Sequence, residues 1–119
     1  MEEIKVGELA RLRDGTITRI DEIKENTFEC EFKKINCELY TNFIIKHCFD
    51  IKDLVQAGDI ILYTINCKIA DIEIVKEHID ARTQEKTLRV GLWSLEQVEI
   101  KEILTKEQFN QMKYIVGGG

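Results

Sequence analysis

Polar and apolar positions along the chain fall into short alternating runs separated by Gly, Asp and Asn, the signature of strands and turns. Thr27-Phe-Glu-Cys-Glu-Phe32 alternates without a break, with Phe28, Cys30 and Phe32 on one side and Glu29 and Glu31 on the other. That is a half-buried strand with one wet face. Lys5 to Arg13 and Thr16 to Ile23 flank Asp14-Gly15. A tight turn needs the positive φ that Gly adopts freely, so these two runs are predicted as a hairpin. Lys33 to Asn36 reads as a turn and Cys37 to Thr41 as a further short strand, while Asn42 to Phe49 fits either a strand or the lead-in to a helix.

The midpoint, Asp50-Ile-Lys-Asp-Leu-Val-Gln-Ala-Gly-Asp-Ile-Ile61, changes period. Asp50 and Asp53 suit the free N–H groups of a helix start. Ile51, Leu54 and Val55 share one face at helical spacing, and Gly58 stands where a helix stops. Beyond it, Asp59 to Ile65 and Ile69 to Val75 are predicted to pair around Asn66-Cys67-Lys68. Ala81 to Lys86 is the expected exposed loop, and Thr87 to Trp93 a single strand in which Gly91 marks a bulge or a close backbone approach. Ser94 to Gln97 turns the chain into a strand from Val98 to Ile103. Thr105 and Gln108 fit a capping box opening a helix that runs to Met112. Phe109 and Met112, three apart, are expected to pin that helix to the core, and Lys113 to Val116 to close the sheet as a last strand.

The expected fold is therefore mainly β with minor α content: one small barrel-like antiparallel domain over residues 1–116 with two short helices. Within it, 1–49 form an N-terminal β unit, 50–58 a short helix, and 59–116 a C-terminal β unit with a helix at 105–112. Gly117 to Gly119 are a flexible tail. The two units look alike. Val6-Gly-Glu-Leu9 can be laid over Ala57-Gly-Asp-Ile60, and Thr16 to Asp21 over Lys68 to Glu73, as from an internal duplication.

Composition narrows the function. A net charge of -5 argues against broad attachment to nucleic-acid phosphates, which depends on Lys and Arg. Met1-Glu-Glu-Ile-Lys5 lacks the basic start and apolar run of a secretory signal, so a cytoplasmic protein is expected, with no membrane partner. Cys30, Cys37, Cys48 and Cys67 contain no C-x-x-C pair, and a zinc site from Cys30, Cys37, His47 and Cys48 matches no usual spacing. They read as reduced small hydrophobes, His47 reads as structural, and no cofactor is expected.

No catalytic set emerges, since Ser94 is the lone serine with no His near it in sequence and His78, in Glu77-His-Ile-Asp80, has flanking acids but no second ligand. Binding is the better class. Arg11, Arg13 and Arg19 gather on the first hairpin, and Arg82 and Arg89 flank the exposed loop near Trp93. Arginine's planar fork suits phosphate oxygens and stacks on bases.

Ile51-Lys-Asp-Leu-Val-Gln-Ala-Gly-Asp-Ile60 after Lys46-His47, and Ile100-Lys-Glu-Ile-Leu-Thr-Lys-Glu-Gln-Phe109 before Met112-Lys-Tyr114, resemble a family of small clostridial prophage proteins. Lys5-Val-Gly-Glu-Leu-Ala-Arg11 and Asp14-Gly15 are similar too. The likeness implies phage origin and fold, and with them a non-catalytic role against bacterial immunity in the cytoplasm of the infected host. One expected form is a sponge, a homo-oligomer enclosing a cyclic or ADP-ribose-derived signal nucleotide at Arg82, Arg89 and Trp93. The alternative is an inhibitor offering Glu29, Glu31 and the acids from Asp71 to Glu77 to a host defence protein in place of phosphate. A small-barrel nucleic-acid binder is the third form.

Overall fold

The computed structural model describes residues 3–25, 27–31, 34–36, 43–113 and 116–117. The protein is mainly β, and its strand pairings are antiparallel. It divides into two compact units, Met1–Leu54 and Val55–Gly119.

The first unit is a five-stranded sheet ordered β4-β3-β2-β1-β5. Its strands are β1 (Leu9–Leu12), β2 (Ile17–Ile23), β3 (Thr27–Cys30), β4 (Lys34–Asn36) and β5 (Ile44–Cys48). Gly15, at φ 91°, turns β1 into β2, and the Asp14 carboxylate accepts from the Thr16 N–H. One face of the sheet buries Ile4, Ala10, Leu12, Ile20, Phe28, Cys30 and Ile44. A short 3-10 helix, Ile51–Leu54, follows β5.

The second unit repeats the plan with one bent strand. β6 (Ile60–Ile65) pairs with β7 (Lys68–Ile74) across Asn66-Cys67, both at positive φ as a two-residue hairpin loop requires. After Val75 the chain continues as β8 (Lys76–Ile79), which leaves that sheet and pairs with β9 (Lys86–Val90). β9 in turn pairs with β10 (Trp93–Ser94). A 3-10 turn, Leu95–Gln97, leads to β11 (Glu99–Leu104), which returns beside β6, and α1 (Lys106–Met112) follows it. Its core is Val55, Ile61, Tyr63, Val75, Val90, Leu95 and Val98.

The likeness of the units reaches individual hydrogen bonds. In Lys5–Glu8 the Glu8 N–H donates to the Lys5 carbonyl, and in Gln56–Asp59 the Asp59 N–H donates to that of Gln56. Gly7 (φ 92°) and Gly58 (φ 98°) hold the third position of each turn. Each glycine N–H donates at 2.8 Å to the second strand, Gly7 to Ile20 and Gly58 to Val75, and Ile20 N–H and Val75 N–H return bonds to Glu8 and Asp59. Both carboxylates accept the N–H that opens their turn, from Lys5 and from Gln56. The last strands agree as well: Lys46 faces Arg11 as Glu102 faces Leu62, and both registers slip at the next residue, Ile45 and Lys101.

The same bonds correct the sequence overlay beyond the turns. Ile20 corresponds to Val75, three residues past the Ile72 that a comparison of residue types places there, because alternating strands look alike at several offsets. Other expectations also shift. No strand pairing among the described residues closes either unit into a continuous barrel. The predicted helix at 50–58 is the four-residue 3-10 turn, and Gly58 belongs to the strand-opening turn. Thr87 to Trp93 is two strands, since Gly91 (φ 58°) makes a sharp turn, and a Cβ there would lie 2.6 Å from Glu73 Oε2. The capping box at Thr105 and Gln108 forms, but α1 has no buried residue: Phe109 and Met112 are 43% and 75% exposed. The predicted strand at 37–41 and residues 114 and 115 of that at 113–116 lie outside the described residues.

Asp59 is fully buried and its second oxygen accepts the Lys106 N–H at 2.9 Å. Asp59→Ala removes two charge-assisted bonds and is expected to lower stability by about 3 kcal/mol, read by urea unfolding. Gly58→Ala, which forces positive φ on a Cβ, is expected to cost about 1 kcal/mol or more.

Candidate functional site

The first unit exposes an acidic ribbon. β2 leaves its buried part after Ile20, where the register with β3 slips by one residue at Asp21, and the rest of the strand is exposed. The slip turns Glu22 outward opposite Glu29, while Ile23 stands opposite buried Phe28. Asp21, Glu25 and Glu31 extend the ribbon on either side, all exposed. Two carboxylates directly across an antiparallel pair repel, by about 0.2–1 kcal/mol. Lys24 sits between them, 4.0 Å from Glu22 and 3.5 Å from Glu29, as the nearby cation that makes the pairing tolerable. Glu31 also accepts the Arg19 N–H at 3.1 Å, which holds its carboxylate at the ribbon's edge.

The arginines are less convergent than their sequence positions imply. Arg11 is fully buried and donates to the Leu54 carbonyl at 3.0 Å, so it seals the 3-10 helix onto β1 and faces no solvent. Arg13 is exposed in the β1–β2 turn, where its N–H donates to Phe43. Arg19 is held by Asp21 at 2.7 Å, and that bond raises its pKa.

In the second unit Arg82 lies at the tip of the β8–β9 loop. The Asp80 carboxylate organises the tip by accepting the N–H groups of Arg82 (2.8 Å) and Thr83 (3.2 Å), which lowers the Asp80 pKa. Trp93 pairs with Val90 at the other end of β9, four residues along from Lys86, a span of about 13 Å. Arg89 is half-buried between Lys76 and Ser94 in the register. β9 therefore separates Arg82 from Trp93.

Glu29 and Glu31 were legible as the polar side of an alternating strand, whereas Glu22 joins them only through the register slip at Asp21. His47 is a structural residue, its Nδ1 2.8 Å from Glu8 Oε2 with both side chains buried. Cys30 is buried in the core, Cys48 half-buried and Cys67 exposed, and Cys37 lies outside the described residues. Burial pushes the Cys48 thiol up. Among the described residues no three His, Cys, Asp or Glu side chains gather as metal ligands, and no helix is long and apolar enough to cross a membrane. Compared with protein-family models, curated proteins and solved structures, the chain matches none.

Asp80 stabilises its loop only as a carboxylate. With its pKa lowered, that contribution is present above the ordinary aspartate range and fades as pH falls through the folded value. The amide protons of Arg82 and Thr83 are expected to titrate together below the ordinary aspartate pKa in NMR spectra, and Asp80→Asn to remove the transition.

Proposed function

We propose that the protein is a non-catalytic binding protein that inhibits a nucleic-acid-handling bacterial defence enzyme, presenting the acidic ribbon of its first unit where the enzyme expects phosphates. The observation that carries this reading is Glu22 facing Glu29 across the β2–β3 pair. A sheet selected for stability alone gains by placing opposite charges at such a position. Here the strand pair concentrates Asp21, Glu22, Glu25, Glu29 and Glu31 on an exposed ribbon with Arg19 and Lys24 among them. Carboxylates arrayed on a firm strand pair steer and orient a basic partner surface, and repel nucleic acid itself. The resemblance to prophage proteins supplies the class of target.

The nucleotide-sponge reading draws less support. It needs Arg82, Arg89 and Trp93 around one enclosed ligand, and β9 holds the first and last at opposite ends, while Arg11 is committed to the core and Arg19 to Asp21.

The test is phage plaquing on a panel of strains, each carrying one defence system and expressing the protein or a variant. Rescue by the wild type on at least one strain is expected. Its loss is expected in the Glu22→Lys, Glu29→Lys double variant, where two reversed charges weaken binding by about 10-fold or more. Arg82→Ala with Arg89→Ala is expected to keep rescue. The opposite pattern, or a nucleotide adduct in native mass spectra, overturns the reading in favour of the sponge. Relief of repulsion further predicts that Glu22→Gln leaves the fold as stable or more so, by up to about 1 kcal/mol, while weakening function.

A further inference from the structure

The repeated plan sets two sheet faces in direct correspondence, and in the first a helix lies over Arg11 while Lys46 and Arg19 stay exposed. In the first unit the outer side of β1 and β5 carries Arg11 and Lys46 in one row, and Arg19 stands on the neighbouring strand β2. The 3-10 helix that follows β5 lies over Arg11, which is 0% exposed and bonded to the Leu54 carbonyl. A cationic side chain meets the helix's carbonyl end there, the favourable sense of the helix dipole.

In the second unit the equivalent positions are Leu62 for Arg11, Glu102 for Lys46 and Ile74 for Arg19. Leu62 and Glu102 line a groove of about 590 Å³ together with Ile60, Ile72, Ile103 and Leu104. Ile72 is 61% and the adjoining Ile74 46% exposed. β6 reads Ile-Ile-Leu-Tyr-Thr-Ile, a near-continuous apolar run of the kind found in strands covered on both faces. Its inner side has the core and its outer side is open. The Glu102 side chain makes no hydrogen bond or ion pair among the described residues.

The helix that follows the last strand of this unit, α1, is equally unsatisfied. It has no buried residue, and Phe109 and Met112 project one turn apart into solvent. Lys106 opens it and Lys113 caps its end, with Lys113 Nζ 6.0 Å from the centre of the Phe109 ring. The first unit places its post-strand helix on this face; the second has both the face and the helix, apart. Their chemistries are complementary: an aromatic and a thioether fit an Ile/Leu groove, and a lysine beside them fits the isolated Glu102.

We propose that a second copy of this chain covers the open face, α1 of each copy lying in the outer groove of β7-β6-β11 of the other, with Lys113 of one copy paired to Glu102 of its partner. Exchange of the helix in both directions closes a two-fold dimer and buries two helix contacts, as a self-complementary interface requires. Glu102 selects against simple face-to-face pairing, which brings the two Glu102 carboxylates onto one apolar surface with no lysine in the groove.

Sedimentation velocity of the full chain over a range of concentrations tests this. The wild type is expected to sediment as a dimer well above the micromolar range, and both Ile72→Asp and Met112→Asp to be monomers. Both positions are solvent-exposed, so unchanged circular dichroism and melting temperature are expected to confirm the fold. Glu102→Lys and Lys113→Glu singly are expected to weaken the dimer at least tenfold, and the double exchange to restore it. A wild-type monomer at every concentration overturns the proposal. So does a dimer that survives Met112→Asp, because α1 is then not the occupant. The plaquing assay with Glu22→Lys and Glu29→Lys is independent of these results, since none of the substituted positions here lies on the acidic ribbon.

Discussion

Each unit depends on a buried carboxylate that follows a glycine in the left-handed region. Glu8 and Asp59 sit at the fourth position of a turn, lock its opening N–H, and start the first strand against the second. A charge so placed is expensive to desolvate, and the structure offsets this with N–H groups aimed at it. The remaining oxygen then reaches to the last part of the unit: Glu8 to His47 on β5, Asp59 to the first N–H of α1. First strand, second strand and the last part of each unit are thereby tied at one residue, through its carbonyl and its carboxylate. An extra methylene in Glu8 lets it reach a side chain, whereas the shorter Asp59 meets backbone.

With both units held by the same device, their differences carry the functional information. In one, Arg11 and Lys46 hold the outer positions of β1 and β5, with Arg11 under the 3-10 helix; in the other, Leu62 and Glu102 stand there in an open groove, and the acidic ribbon belongs to the first alone. Such divergence is what duplicated units permit, since the turn and core preserve the fold while the outer positions of the strands change freely. The ribbon accepts a like-charge pair at some cost to stability. The groove leaves isoleucines in water. Each is unfavourable for an isolated domain, and each is what the proposed target and the proposed second copy would cover.

Sequence reasoning went furthest where chemistry is local. Asp14-Gly15, the Asn66-Cys67 turn, the alternation of Phe28 to Glu31 and the Thr105–Gln108 capping box depend on residues within a few positions of each other, and all take the expected form. It went wrong where distant strands decide. Helical spacing in Ile51, Leu54 and Val55 predicted a longer helix, but Val55 belongs to the core of the second unit and the chain turns at Gly58 to begin its first strand. Phe109 and Met112 have the spacing of a packed helix face, yet they are 43% and 75% exposed.

What the sequence by itself determined was the class of the fold, the doubling of a Gly-acid-strand plan, and the acidic net charge. Those follow from period, turn chemistry and charge, which are properties of neighbouring residues. Register decided the rest. A strand slipped by one residue reverses which side chains face water, and only the pairing of β2 with β3 sets Glu22 beside Glu29, as only the pairing of β6 with β7 and β11 assembles the apolar groove. The arginines show the same limit: two residues apart, Arg11 and Arg13 part company because β1 ends at Leu12, which leaves Arg11 on the strand against a helix carbonyl and Arg13 in the exposed turn.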